Sequence, residues 1–177
     1  MKQVINSLTY FRILAGPLIF FFLLIYIKVE IALVIYFLAS ISDFLDGYLA
    51  RKFLLTSQLG EVLDPIADKI FVVFVIISLS LSMNSYYVAF MGCVILSREF
   101  WVSALRDFNS RNNKSQLTRV TFASKVKTSL QMVAFGSYLF GYALNAPLII
   151  MISHFILLLA VILTLQTGIT YTQSTFN

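Results

Sequence analysis

An all-α, multi-span membrane domain is the fold this sequence predicts, and three observations carry the prediction. The first is composition: 59% of the 177 residues are hydrophobic and 12% are charged, with a mean hydropathy of +0.88. A soluble domain averages about 45–50% apolar and about 25% charged. The second is that six apolar stretches, at about residues 5–27, 31–50, 60–83, 86–105, 126–144 and 148–170, each approach the ~20 residues needed to cross a bilayer. The third is that the connections are short and leave no room for a soluble module. Residues 1–177 therefore read as one integral membrane domain, with no low-complexity linker or convincing internal repeat.

Taken in order, the first stretch follows Lys2 and superficially resembles a secretory signal. Its apolar run is too long for that, and no small-residue cleavage site follows. Asn6, Ser7, Thr9 and Arg12 make its first turns amphipathic, which predicts an interfacial start before the crossing. The second stretch runs into Asp43, Asp46, Arg51 and Lys52, and the third opens with Asp64 and Asp68. The fourth contains Arg98, Glu99 and Arg106, and the fifth begins at Lys125 and Lys127. The sixth is almost wholly apolar, and its lone His154 lacks the partners that a ligand or a base would have. Residues 111–116 read as a solvated loop. Tyr10, Tyr86, Tyr87 and Tyr171, near span ends, read as interfacial anchors. Ser137 and Gly141, four apart, would let two helices approach closely.

Charge placement sets the orientation. Lys28 stands alone in its turn, and the turns at 84–85 and 145–147 carry no basic residue. Most other basic residues gather on the N-terminal side, at Arg51 and Lys52, and near the connection between Arg106 and Lys127. The positive-inside rule then puts both termini, and the charged ends of the second and third spans, in the cytoplasm of a bacterial-type inner membrane. The net charge of +5 is mostly this bias. It predicts contact with membrane lipids and phosphorylated substrates and argues against nucleic acid. Cys93 lies within a span and supports neither a disulfide nor a zinc site.

Four aspartates stand out. Asp43, Asp46, Asp64 and Asp68 are half of the eight acidic residues, and all four border long apolar runs. A carboxylate in that setting costs about 2.5–3.5 kcal/mol unless it is neutralised. Asp43 and Asp46 (i, i+3) share a helix face, as do Asp64 and Asp68 (i, i+4), the latter about 6 Å apart along the axis. Antiparallel helices would turn the two pairs toward each other, and hard oxygen ligands at such density suit a divalent cation. Gly47 and Gly60 clear side chains from the approach.

The full pattern is Asp43-x-x-Asp46-Gly47-x-x-Ala50-Arg51, eight residues, then Gly60-x-x-x-Asp64-x-x-x-Asp68. It resembles the signature of the CDP-alcohol phosphatidyltransferase family at every position. The resemblance implies that family's membrane fold and CDP-diacylglycerol as donor substrate. It also implies a site of two Mg²⁺ or Mn²⁺ ions held by Asp43, Asp46, Asp64 and Asp68, with Asp68 also the catalytic base. Asp43, Gly47, Ala50, Arg51, Gly60, Asn6 and Thr9 would then contact CDP-diacylglycerol, Arg51 at the nucleotide diphosphate. In-line displacement between two ions that clamp attacking and leaving oxygens is the expected chemistry. A homodimer is implied by resemblance alone.

A second constellation concerns the acceptor. Arg98 and Arg106, eight apart, share a helix face, and Lys125 and Lys127 enter the next span. A bare Arg98–Glu99 pair would be a structural salt bridge; with the lysines it reads as an anion pocket. These stretches, with residues 6–13, are similar to the branch of the family whose acceptor is glycerol 3-phosphate. That branch more often has Gly where this chain has Ser124, a small residue expected to keep the backbone. Other alcohols, such as phosphatidylglycerol, serine or inositol phosphate, stay open as acceptors. A transporter using the carboxylates as a relay is the rival from another class, but it does not require Gly47, Ala50, Arg51 and Gly60 at their spacings.

Overall fold

The computed structural model describes residues 2–53, 58–118 and 121–176, with side chains described for 7–43, 45, 63–118 and 121–176. Every described element is helical. α1 spans Lys2–Phe20 and continues as a π-helical turn, Phe21–Ile25. α2 (Val29–Phe53), α3 (Gln58–Ser82), α4 (Tyr86–Arg111), α5 (Phe122–Ala143) and α6 (Pro147–Phe176) follow, with a 3-10 turn at Ser115–Thr118.

Local chemistry sets the ends. Asn84, Asn113 and Asn145 follow α3, α4 and α5 with φ of 46°, 56° and 50°, a left-handed geometry that asparagine tolerates. The amides one residue later close each helix by bonding five residues back: Ser85 to the Ser80 carbonyl, Lys114 to Asn109 and Ala146 to Gly141. Ser85 and Thr121 cap the starts of α4 and α5, each accepting from the amide three residues on. Pro147 opens α6, where its missing N–H is not needed.

The six helices coincide with the six apolar stretches, and α4 and α6 extend furthest beyond them. α4 runs to Arg111 rather than 105, its exposed end carrying an Arg111–Asp107 ion pair of 2.8 Å, and α6 runs to Phe176. The expected interfacial start is not a separate element: α1 is continuous from Lys2. Among the described residues, four helical segments are long and apolar enough to cross a membrane: Ser7–Ile25, Leu63–Ser82, Tyr86–Arg111 and Pro147–Phe176. The sequence reading of six spans exceeds that count. α5 falls short because Ser124, Lys127 and Gln131 interrupt its hydropathy, and these polar residues are buried against neighbouring helices. The acidic end of α2 reaches into side chains outside the described residues.

Packing brings α1 and α3 close together. Gly16 faces α3, where an added Cβ would lie 3.1 Å from Phe74 Cβ and 3.4 Å from Phe71 Cα. Thr9, Arg12 and Gly16 share a face of α1, and Asp64, Asp68 and Phe71 share a face of α3. Close contact at Gly16 therefore presses two polar α1 side chains against the motif acids. Deeper in, Ala15, Ile19, Tyr36, Phe71, Val75, Leu79, Phe135 and Leu139 are buried together, with Tyr36 stacked on Phe71 at 5.6 Å. Tyr36 also donates to the Met132 carbonyl at 2.6 Å, tying α2 to α5. α5 and α6 meet where Ser153 donates to Ser137 (2.8 Å), and Gly141 leaves room for Ile149 and Ile150. His154 is structural: its Nδ1 is 2.7 Å from the Ile150 carbonyl, and its ring lies against Tyr87 and Tyr138.

Candidate active site

Arg12 is the hub of the acid site. One guanidinium nitrogen donates to Asp68 at 2.5 Å and the other lies 3.2 Å from Asp43. Its side chain is 2% exposed, whereas those of Asp43 and Asp68 are 44% and 47% exposed. The cation is thus sealed inside the helix packing and the carboxylates open outward. Three residues earlier on α1, Thr9 donates its hydroxyl to Asp64 at 2.7 Å. One face of α1 therefore gathers Asp43 from α2 and Asp64 and Asp68 from α3.

A cavity of about 140 Å³ opens beside this cluster, lined by Asp43, Asp68, Lys69, Val72, Leu96, Glu99, Thr128, Gln131 and Met132. Lys69 gives its Nζ to Ser103 at 2.6 Å and lies 5.9 Å from the centre of the Phe100 ring. Three described carboxylates, Asp43, Asp64 and Asp68, meet one shared guanidinium and one neutral hydroxyl, and their hard oxygen atoms are of the kind that Mg²⁺ or Mn²⁺ takes as ligands. Among the described residues, no three His, Cys, Asp or Glu side chains come together as a metal-holding group. The side chain of the motif's fourth acid, Asp46, lies outside the described residues, as do those of Asn6, Gly47, Ala50, Arg51 and Gly60.

The second constellation converges as well. Arg98, Glu99, Arg106, Ser124, Lys125, Lys127, Thr128 and Ser129 line a cavity of about 360 Å³ between α4 and α5. Glu99 and Thr128 belong to both cavities, so the acid site and the cationic pocket share a wall. The cations are not equivalent. Arg98 is buried, donating to the Thr164 carbonyl (3.0 Å) and the Thr167 hydroxyl (2.6 Å) of α6 and lying 3.4 Å from Glu99. Lys127 is also buried and ion-paired with Glu99. Arg106 and Lys125 are exposed. Four cations against one acid leave the pocket strongly positive, and Arg106 and Lys125 are the more accessible donors.

Sequence reasoning missed several of these residues. Arg12 received no role, although an arginine inside an apolar stretch demands a partner and Thr9 lies one turn before it. Lys69 directly follows the motif and passed unnoticed. Tyr171 is a correction: it is 3% exposed and packs with Val102 and Leu105, so it is no interfacial anchor. Tyr10 and Tyr86 are exposed as expected, while Tyr87 is half-buried and donates to the His154 carbonyl at 3.0 Å.

Comparison with known proteins places the chain in a family. The profile of the CDP-alcohol phosphatidyltransferases matches residues 3–166, which includes every motif position. A Haemophilus influenzae protein named CDP-diacylglycerol–glycerol-3-phosphate 3-phosphatidyltransferase is 34% identical over 170 residues, covering 94% of this chain and 89% of its own. Proteins of the same name from Rickettsia bellii and Escherichia coli K12 are 40% identical over 172 residues (94% and 91% covered) and 34% over 131 (72% and 71%). With acids and cations meeting across one wall inside a helical membrane bundle, this chain belongs to the CDP-alcohol phosphatidyltransferase family.

Proposed function

We propose that the protein transfers the phosphatidyl group of CDP-diacylglycerol to glycerol 3-phosphate, forming phosphatidylglycerophosphate and CMP, as its relatives' names state for them. The observation that carries this reading is the shared wall. A carboxylate cluster suited to diphosphate chemistry adjoins a cationic pocket sized for a small phosphorylated alcohol, with Glu99 and Thr128 common to both.

Asp43, Asp46, Asp64 and Asp68 would hold two Mg²⁺ or Mn²⁺ ions, which neutralise diphosphate charge when bound. The chain's own residues position and move protons. Arg106 and Lys125, backed by Arg98 and Lys127, receive the acceptor phosphate and direct its free hydroxyl toward the acid site. Asp68 takes the hydroxyl proton as the oxygen bonds to the phosphorus next to diacylglycerol, and the bond from that phosphorus to the CMP oxygen breaks. Arg51 steadies the departing CMP. Buried Arg12 holds Asp43 and Asp68 in place and offsets their mutual repulsion. The reading includes six crossings with the site on the cytoplasmic side of an inner membrane, acyl chains lying in the bilayer, and a homodimer.

The test is CMP release from purified protein given CDP-diacylglycerol, Mg²⁺ or Mn²⁺ and a panel of alcohols. Glycerol 3-phosphate should support turnover, and glycerol, serine and inositol should not, because the cationic pocket needs an anion to compensate it. Arg106→Ala should raise the requirement for glycerol 3-phosphate far more than that for CDP-diacylglycerol. Equal turnover with glycerol would remove the phosphate-pocket assignment.

A further inference from the structure

Behind the cationic pocket, three of its lining residues converge on one aromatic side chain that does not itself line the cavity. The Arg98 and Arg106 guanidinium carbons lie 5.8 and 5.9 Å from the centre of the Tyr171 ring, within range for attraction to a π face. The third is Ser124, whose hydroxyl is 2.9 Å from the Tyr171 hydroxyl. The same phenol oxygen accepts from the Thr121 amide at 3.2 Å, next to the start of α5. The ring cannot drift, because Val102 and Leu105 of α4 pack on it. Room for the approach comes from Gly168, one turn earlier on α6: a Cβ there would lie 3.0 Å from Arg98 Cγ.

We propose that Tyr171 is a positioning residue for the anion pocket, its ring face holding Arg98 and especially the exposed Arg106 in the geometry that receives the acceptor phosphate. Two guanidiniums on one helix face repel each other, and an exposed arginine otherwise samples many rotamers. A fixed electron-rich face between helices reduces both costs before the anion arrives. The hydroxyl of Ser124 gains a purpose as well: with the Thr121 amide it orients the ring from α5, and a glycine at 124 would supply no such bond. This inference rests on the glycerol 3-phosphate reading for the identity of the ligand, though not for the presence of an anion site.

The test separates ring shape from ring electrostatics. Tyr171→Phe keeps an electron-rich face, and pentafluorophenylalanine in place of Tyr171 keeps the shape with the polarity of the face reversed. Steady-state constants for both substrates, and direct calorimetric binding of glycerol 3-phosphate and inorganic phosphate, are measured on each full-length protein in lipid nanodiscs. Tyr171→Phe should keep the glycerol 3-phosphate KM within about threefold of the parent. The fluorinated protein should raise it a further fivefold or more, in line with the loss of cation–π attraction, with kcat and the CDP-diacylglycerol KM within about twofold of those of Tyr171→Phe. Equal KM values in the Phe and pentafluoro proteins would overturn the proposal. So would a parallel rise in the KM values of both substrates, which marks a purely structural ring. If the parent releases no CMP with glycerol 3-phosphate, the acceptor reading fails. Phosphate binding then still decides the role of Tyr171, by whether it weakens in the fluorinated protein relative to Tyr171→Phe.

Discussion

Replacing Arg12 with glutamine removes the one charge that α1 places between Asp43 and Asp68, at 3.2 and 2.5 Å. Truncating one partner of a buried ion pair costs about 3–5 kcal/mol, since the charges left behind stay uncompensated. Here the carboxylates are 44% and 47% exposed, so water takes over part of the role and the loss falls to or just below the bottom of that range, about 2–3 kcal/mol. Glutamine is one methylene shorter, has two fewer side-chain heavy atoms and carries no charge, so the loss combines the missing ion pairs with a smaller packing deficit at this buried site. Arg12→Lys should fall in between, because an ammonium cannot span two carboxylates as a planar fork does. The control is Arg111→Gln, which breaks an ion pair 78% and 61% exposed and should change stability by no more than about 0.5 kcal/mol. Equilibrium unfolding in mixed detergent micelles is the assay, read by the chain's single tryptophan, Trp101, which bonds Thr172 across the α4–α6 seam at 2.9 Å. Chelator is included so that added metal cannot compensate. If Arg12→Gln unfolds at the same denaturant composition as Arg111→Gln, Arg12 does not organise the acid site.

Three further outcomes are expected. Asp68→Asn keeps the side-chain size and one oxygen but cannot accept a proton; it should bind nucleotide and metal appreciably while CMP release falls by about 10²–10⁴, and near-normal release would refute the base assignment. Gly92→Ala should destabilise the bundle by about 1–3 kcal/mol, because the new Cβ would lie 2.2 Å from Ile76 Cγ2; unfolding at the parent midpoint would show that α3 and α4 separate freely there. Reporters fused in the 111–116 connection should register cytoplasm and those at Asn145 the outside, and the reverse at either position would contradict the orientation.

What the sequence revealed, and what it hid, divides by distance along the chain. Helices were legible because apolar runs and asparagine-terminated turns are local, and the six stretches match α1 to α6 within a few residues at most ends. Asp64 and Asp68 were readable as one face, since i, i+4 spacing fixes it. The partners of those acids were not: Arg12 reaches Asp68 across 56 positions, and Thr9 reaches Asp64 across 55. Glu99 looked like a partner for adjacent Arg98, but its shorter pair is with Lys127 on the next helix. Ser124 looked like a tolerated small residue, and its bond to Tyr171 spans 47 positions. α5 is absent from the four long apolar helices because its polar residues lower the average around the helix, and Lys127 and Gln131 are buried against other helices.

The central claim is that a hydroxyl of glycerol 3-phosphate attacks the phosphorus bearing diacylglycerol. Glycerol 3-phosphate carrying ¹⁸O in its terminal hydroxyl, incubated with CDP-diacylglycerol, Mg²⁺ and purified protein, tests this by mass spectrometry of both products. The account predicts the label in the bridging oxygen of phosphatidylglycerophosphate and none in CMP, with formation of both products abolished by chelator. CMP released without labelled lipid, or label recovered in CMP, would contradict it.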